Sequence, residues 1–163
     1  RAKGVPSSFY RLVNRGKRET RLDLKTETGR TVLRALVRES HVLVESFRPG
    51  VMERLGLDYS NLAKVNPKLV YCAITGYGAK GPLSQRPGHD INYLAYSGVL
   101  DQIATPDGPP VIANIQVADL LGGALVGIGS AYLANALFSG PNAQLGVPKR
   151  ALVVMPLSFS GSF

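Results

Sequence analysis

The chain has 163 residues, 45% hydrophobic and 18% charged, a balance that suits one domain with a proper core and excludes a disordered chain. Its net charge of +8 is unevenly divided: residues 1–86 hold 17 of the 19 Lys and Arg and seven of the 11 acidic residues, whereas residues 87–148 hold four aspartates and no cation. The basic first half suits an anionic partner, with nucleic acid and a phosphorylated cofactor as candidates, beside the plainer reading of a solvated charged surface.

Asn14-Arg15-Gly16-Lys17-Arg18 opens the pattern as a compact basic cluster. Arg21–Lys25 alternates and predicts a short strand, followed by a turn at 26–29. Val32, Leu33, Leu36 and Val37 recur at helical spacing and predict an amphipathic helix over 30–39. Val42–Phe47 reads as a buried strand, broken by Pro49 and Gly50. A short helix follows over 51–55, and Asp58–Asn61 offers caps for another reaching about residue 65. Asn66-Pro67 ends it, and Leu69–Thr75 is the next strand. Strand, helix, strand, helix, strand predicts an α/β unit with an open, mainly parallel sheet and flanking helices. In such sheets ligands gather at the carboxyl ends of the strands, here Phe47–Gly50 and Thr75–Gly78.

Beyond residue 82 the character changes. Arg86-Pro87-Gly88 is a loop, 90–100 predicts one helix, 105–110 is a Pro/Gly-rich turn, and 111–117 is extended. Leu120–Phe138 is an uncharged run of nineteen residues, long enough to consider as a membrane span. Its four glycines, with Ser130, Tyr132 and Asn135, and the lack of a flanking basic cluster favour a buried helix instead. The glycines predict close packing against another backbone. Past Ser139 the pattern decays: Gly140-Pro141-Asn142 breaks it, and Ala151–Phe163 is apolar and Ser-rich without clear amphipathicity. The domain reading is therefore 1–138, with a divergent apolar tail over 139–163. The sequence begins at Arg1, which fits a processed product or a fragment. The one cysteine, Cys72, excludes an internal disulfide and suits a reducing cytoplasm.

Three sets of residues carry candidate chemistry. Gly76-Tyr77-Gly78-Ala79-Lys80-Gly81 has the G-x-G-x-x-G spacing after a strand, but Pro82 and a loop follow where a dinucleotide site needs a helix N-terminus, so it reads as a Gly-rich turn. Arg15, Lys17 and Arg48 are suited to phosphate through charge-assisted hydrogen bonds, and equally to a solvated surface. His89 stands in a loop before a helix, and Asp119 at the expected N-cap of the long helix. Each has a purely structural reading, and His41 reads as a surface histidine. No metal-ligand pattern is read.

Residues Asn14–Phe138 resemble the family III CoA-transferases, a group that includes carnitine CoA-transferase, formyl-CoA transferase and 2-methylacyl-CoA racemase. The resemblance lies in Asn14–Arg18, Val44-Glu45-Ser46-Phe47-Arg48-Pro49-Gly50-Val51, Asn66-Pro67, Tyr71–Gly78, Gly81-Pro82 and Gly88-His89-Asp90-Ile91-Asn92-Tyr93. It implies part of that family's large domain and an acyl-CoA substrate, with coenzyme A as the carried group and no metal. It implies no nucleic-acid or membrane partner, and a homodimer in the intact family. Arg15, Lys17, Arg48, Gly76, Tyr77, Gly78 and Tyr93 are then expected cofactor contacts. His89 and Asp119 match the acid/base pair of the racemases, and Asp119 also matches the aspartate that carries acyl and CoA groups covalently in the transferases. The intact Gly88–Tyr93 block favours the racemase pattern. Ile115 departs from it, because the racemases carry Asn four positions before the aspartate and here Asn114 is five before. The family implies further segments upstream of Arg1 and a different continuation after Phe138, so 139–163 reads as a frame-shifted or unrelated tail. An inactive CoA-binding remnant is the third expectation.

Overall fold

The protein is described from a computed structural model, which covers residues 7–105, 107–138 and 151–154. The break at Gly140-Pro141-Asn142, the Lys149-Arg150 pair and the apolar tail beyond Val154 lie outside the described residues.

Among the described residues three strands form one parallel sheet in the order β2-β1-β3: β1 (Val42–Glu45), β2 (Val70–Ala73) and β3 (Ala151–Val154). Val42 pairs with Val70 on one side and with Ala151 on the other, which makes β1 the central strand. The third strand comes from the tail that the sequence pattern sets apart. An α/β architecture with an open parallel sheet and flanking helices is what results.

The period of two in β1 divides its side chains between two layers. Leu43 faces the main core, where it meets Leu33 and Val37 of α2 (Glu27–Arg38), Met52 of α3 (Val51–Arg54), Leu62 of α4 (Tyr59–Val65), and Leu57 and Leu69. Val42 and Val44 face the opposite layer with Val70 and Cys72. The long helix α7 (Val117–Phe138) packs against β1 and β2. Asn66 ties the ends of two elements together: its side-chain amide donates to the carbonyls of Val37, at 3.1 Å, and Ser40, at 2.7 Å.

Four local expectations are corrected. Arg21–Lys25 is not a strand. The Asp23 carboxylate accepts the Lys25 N–H at 3.0 Å, and the Asp23 carbonyl accepts the Thr26 hydroxyl at 2.7 Å, so local bonds replace a ladder. The helix expected from residue 30 begins at Glu27, capped by the Thr26 hydroxyl, which accepts the Gly29 N–H at 3.1 Å. The single helix expected over 90–100 is two, α5 (Asp90–Tyr96) and α6 (Val99–Gln102), parted by Gly98 at φ 78°, a conformation costly for other residues. The long helix starts at Val117, so Asp119 lies inside its first turn rather than at the N-cap. The remaining helix, α1 (Ser8–Val13), precedes the basic cluster.

The stretch 111–116 is irregular. A side chain grafted onto Gly122, Gly123, Gly127 or Gly129 would meet nothing within 4 Å among the described residues, so the close packing expected there is not made within them. Among the described residues no helix is long and apolar enough to cross a membrane.

Candidate active site

Parallel pairing sends the ends of β1 and β2 to the same edge of the sheet. The ladder extends one step further there, where the Ile74 N–H donates to the Glu45 carbonyl at 2.8 Å. Two loops leave this edge: 46–50, which carries Arg48, and 74–89, which carries the glycine-rich turn. That turn contains no helix, and the next begins at Asp90. This agrees with the turn reading of Gly76–Gly81.

Tyr93 of α5 is the structural centre of the second loop. The space a Cβ on Gly76 would need is taken by the Tyr93 ring and hydroxyl. On Gly88 it would lie 2.7 Å from Tyr93 Cε1 and 3.0 Å from the Tyr77 hydroxyl. Only glycine lets these backbones approach the phenol ring so closely. Tyr77 meets Tyr93 edge-on at 5.4 Å between ring centroids and Tyr96 at 5.5 Å, favourable separations for aromatic pairs. Burial, with the Tyr77 phenol and the Asp119 carboxylate nearby, pushes the Tyr93 phenol above its ordinary range.

His89 caps α5, and its backbone N–H donates to Asn92 Oδ1 at 2.9 Å. Asp90, the first residue of that helix, reaches across to α7: its Oδ1 accepts the backbone N–H of Asp119 at 3.0 Å. This bond fixes the start of α7 against the start of α5, and His89 with it. It also occupies the Asp119 N–H, while the Leu120 N–H donates to the Gln116 carbonyl at 3.0 Å. Both N–H groups are therefore already paired.

Asp119 is exposed but not fully hydrated. Partial burial first, and then the negative Asp90, raise its carboxyl above the ordinary range, while His89 pulls it down. A carboxylate under the influence of both a like charge and an imidazole is suited to proton transfer or to attack on a carbonyl.

The other expected contacts lie apart. Arg15 and Lys17 are exposed in the turn after α1, and Arg48 is exposed in the loop after β1. Among the described residues no hydrogen bond, ion pair or ring contact joins them to the tyrosine cluster. Gly78 is exposed at φ 84° beside Tyr77.

Two acidic groups at this edge stand inside the quoted motifs without a role being read for them. Asp90 organises Asp119, and its signals are its place at a helix start and beside His89 in the Gly88–Tyr93 block. Glu45, at the end of β1, is 6% exposed. Its parity with Leu43, two residues apart on the core face, was the available signal. Burial raises the Glu45 carboxyl, and bonds from the Phe47 N–H and the Tyr71 hydroxyl oppose the rise. Burial and the neighbouring Glu45 charge push the Tyr71 phenol up, so it stays a donor. Among the described residues no cluster of His, Cys, Asp and Glu could hold a metal ion.

Comparison with known proteins identifies the family. Residues 2–141 match the profile of CoA-transferase family III. The chain is 43% identical over 135 residues to an acetyl-CoA:oxalate CoA-transferase of Acetobacter aceti, covering 81% of this chain and 35% of that protein. It is 45% identical over 123 residues to the human alpha-methylacyl-CoA racemase, covering 74% of this chain and 32% of that one. A crystal structure of a CAIB/BAIF family protein from Brucella suis superposes with a TM-score of 0.71 at 32% identity, over 85% of this chain and 35% of that chain. The chain thus spans about a third of the length of the curated relatives it matches. Over most of its own length, in sequence and in fold, it belongs to CoA-transferase family III.

Proposed function

We propose that this chain carries the reacting groups of an acyl-CoA enzyme that inverts the α-carbon of a 2-methylacyl thioester, with His89 and Asp119 as the acid/base pair. The supporting observation is the electrostatic contact of His89 and Asp90 with Asp119 across the α5–α7 junction. Thioester activation makes the α-proton acidic. The Asp119 carboxylate takes that proton from one face and leaves an enolate. The protonated His89 imidazole returns a proton to the opposite face, and the reverse passage restores both groups. Arg48, at a strand end, and Arg15 and Lys17 in the basic first half supply cations for the CoA phosphates.

The second reading is CoA transfer. It is favoured by the solvent exposure of Asp119 and by the transferase named among the relatives. Here an Asp119 oxygen attacks the thioester carbonyl and expels CoA thiolate, forming a mixed anhydride. The thiolate then attacks the aspartyl carbonyl and releases the free acid. A second carboxylate finally takes up the CoA through the same two exchanges.

One experiment separates these readings. The chain is incubated with (2R)-2-methylbutanoyl-CoA in D2O, and separately with acetyl-CoA followed by hydroxylamine, with the His89→Ala variant alongside. Deuterium entering the α-position, lost in the variant, supports proton transfer. Hydroxamate at Asp119 with no deuteration supports CoA transfer. Binding of CoA with neither signal would mean that the chain is an inactive CoA-binding remnant.

A further inference from the structure

The Glu45 carboxylate serves neither reading above, although it is buried at the edge where the expected cofactor contacts leave the sheet. Oε2 accepts the Phe47 N–H at 2.7 Å, and Oε1 is 3.4 Å from the Tyr71 hydroxyl. The first bond closes a turn over two residues and directs the chain out of β1. Phe47 is doubly held, because its side chain packs against the main core while its N–H is tied to Glu45. Arg48 comes next and is exposed. The loop is fastened again just beyond it: the Val51 N–H donates to the Arg48 carbonyl at 3.1 Å, and the Gln85 side chain donates to the Pro49 carbonyl at 3.3 Å. On the strand side, Tyr71 meets Tyr59 edge-on at 6.1 Å, which braces the phenol that contacts Glu45.

A carboxylate withdrawn from water is an expensive way to fill space, and a leucine would suit a position facing the same core as Leu43 better. What the carboxylate provides and leucine cannot is a strong acceptor for the Phe47 N–H. We propose that Glu45 is a positioning residue for the Arg48 loop: by holding Phe47 it presents Arg48 to the phosphates of coenzyme A, and it touches neither the thioester nor the reacting carbon. The inference rests on the reading of Arg48 as a CoA contact.

The test is the dissociation constant of coenzyme A, measured by calorimetry on the full chain and its variants, with thermal unfolding in parallel. Glu45→Leu fills the buried space without an acceptor. It is expected to keep or raise the melting temperature and yet weaken CoA binding about tenfold, the equivalent of one good polar contact. Glu45→Gln retains an acceptor for Phe47 and is expected to bind within about threefold of the parent. Arg48→Ala tests the underlying reading separately. If Arg48→Ala weakens binding and a folded Glu45→Leu does not, the positioning role is wrong. If Arg48→Ala binds CoA as the parent does, the Arg48 reading is wrong, and the proposal goes with it. Should leucine unfold the domain, Glu45→Met repeats the measurement with an unbranched chain of similar length, and parent-like binding by a folded Glu45→Met overturns the proposal equally.

Discussion

Asp119 shows how a single carboxylate is set up at the expense of stability. Its folded pKa is raised, first by partial burial and then by Asp90. A raised folded pKa means that the fold prefers the protonated form. Its stabilising contribution is therefore complete below the ordinary carboxylate range and is lost as pH rises through the raised value. Asp119→Asn is fixed in a neutral form. The variant is expected to melt higher than the parent near pH 7, with the gap closing as pH falls toward about 4. The Asn amide leaves the backbone N–H bond to Asp90 in place. Melting temperatures of both proteins across that range check it, and a gap that does not change with pH would show that Asp119 titrates as an ordinary surface carboxylate. The sequence named His89, Asp119 and Tyr93 as residues but not the forces on them. Asp90 acting on Asp119 is a contact between residues 29 apart, and the seating of Tyr93 against Gly76 and Gly88 requires three segments to be folded.

At the scale of elements, legibility followed the strength of the local signal. The two strands read from apolar runs formed where Pro and Gly bounded them. The start of α2 is hidden in the sequence because Thr26, Glu27 and Gly29 resemble a turn in composition, whereas Thr26 is the cap and Gly29 lies against the Asp23 carbonyl. The alternation in 21–25 lost to the side-chain bonds of Asp23 and Thr26. The Thr26 cap satisfies one otherwise orphaned N–H at the head of α2, the helix that supplies Leu33 and Val37 to the core. Thr26→Ala is expected to lower unfolding free energy by about 1 kcal/mol, and Thr26→Ser to recover most of it. Urea unfolding monitored by circular dichroism measures both. The ion pairs of Glu27 with Arg30 and Arg34, at 2.7 and 2.9 Å, lie on the surface and cannot substitute for the cap, because such pairs contribute little in water. An alanine variant as stable as the parent would show that the head of α2 is held by packing alone.

For the whole molecule, the decisive question is where the folded unit ends. The sequence draws the boundary at residue 138, since the helical pattern stops there and the tail has no periodicity of its own. The structure pairs Ala151–Val154 with Val42–Glu45 in parallel register, so the central strand is completed by the tail. No local pattern reveals this pairing, because four apolar residues acquire a register only against an existing strand. Removal of residues 139–163 would leave β1 as an edge, with one row of N–H and C=O groups unpaired beside Val42–Glu45. Large apolar side chains of α7, such as Leu125 at 71% and Ile128 at 70% exposure, already stand in water in the full chain, and the new strand edge adds to them. A chain ending at Phe138 is therefore expected to unfold at lower temperature than the full chain and to self-associate more readily. At about 1 kcal/mol for each ladder bond lost, the deficit is a few kcal/mol, enough to be plain in thermal unfolding, with light scattering to follow association. The competing outcome is equally definite. If the shortened chain melts and scatters as the full one does, residues 1–138 are the folding unit, and β3 adds no stability to it.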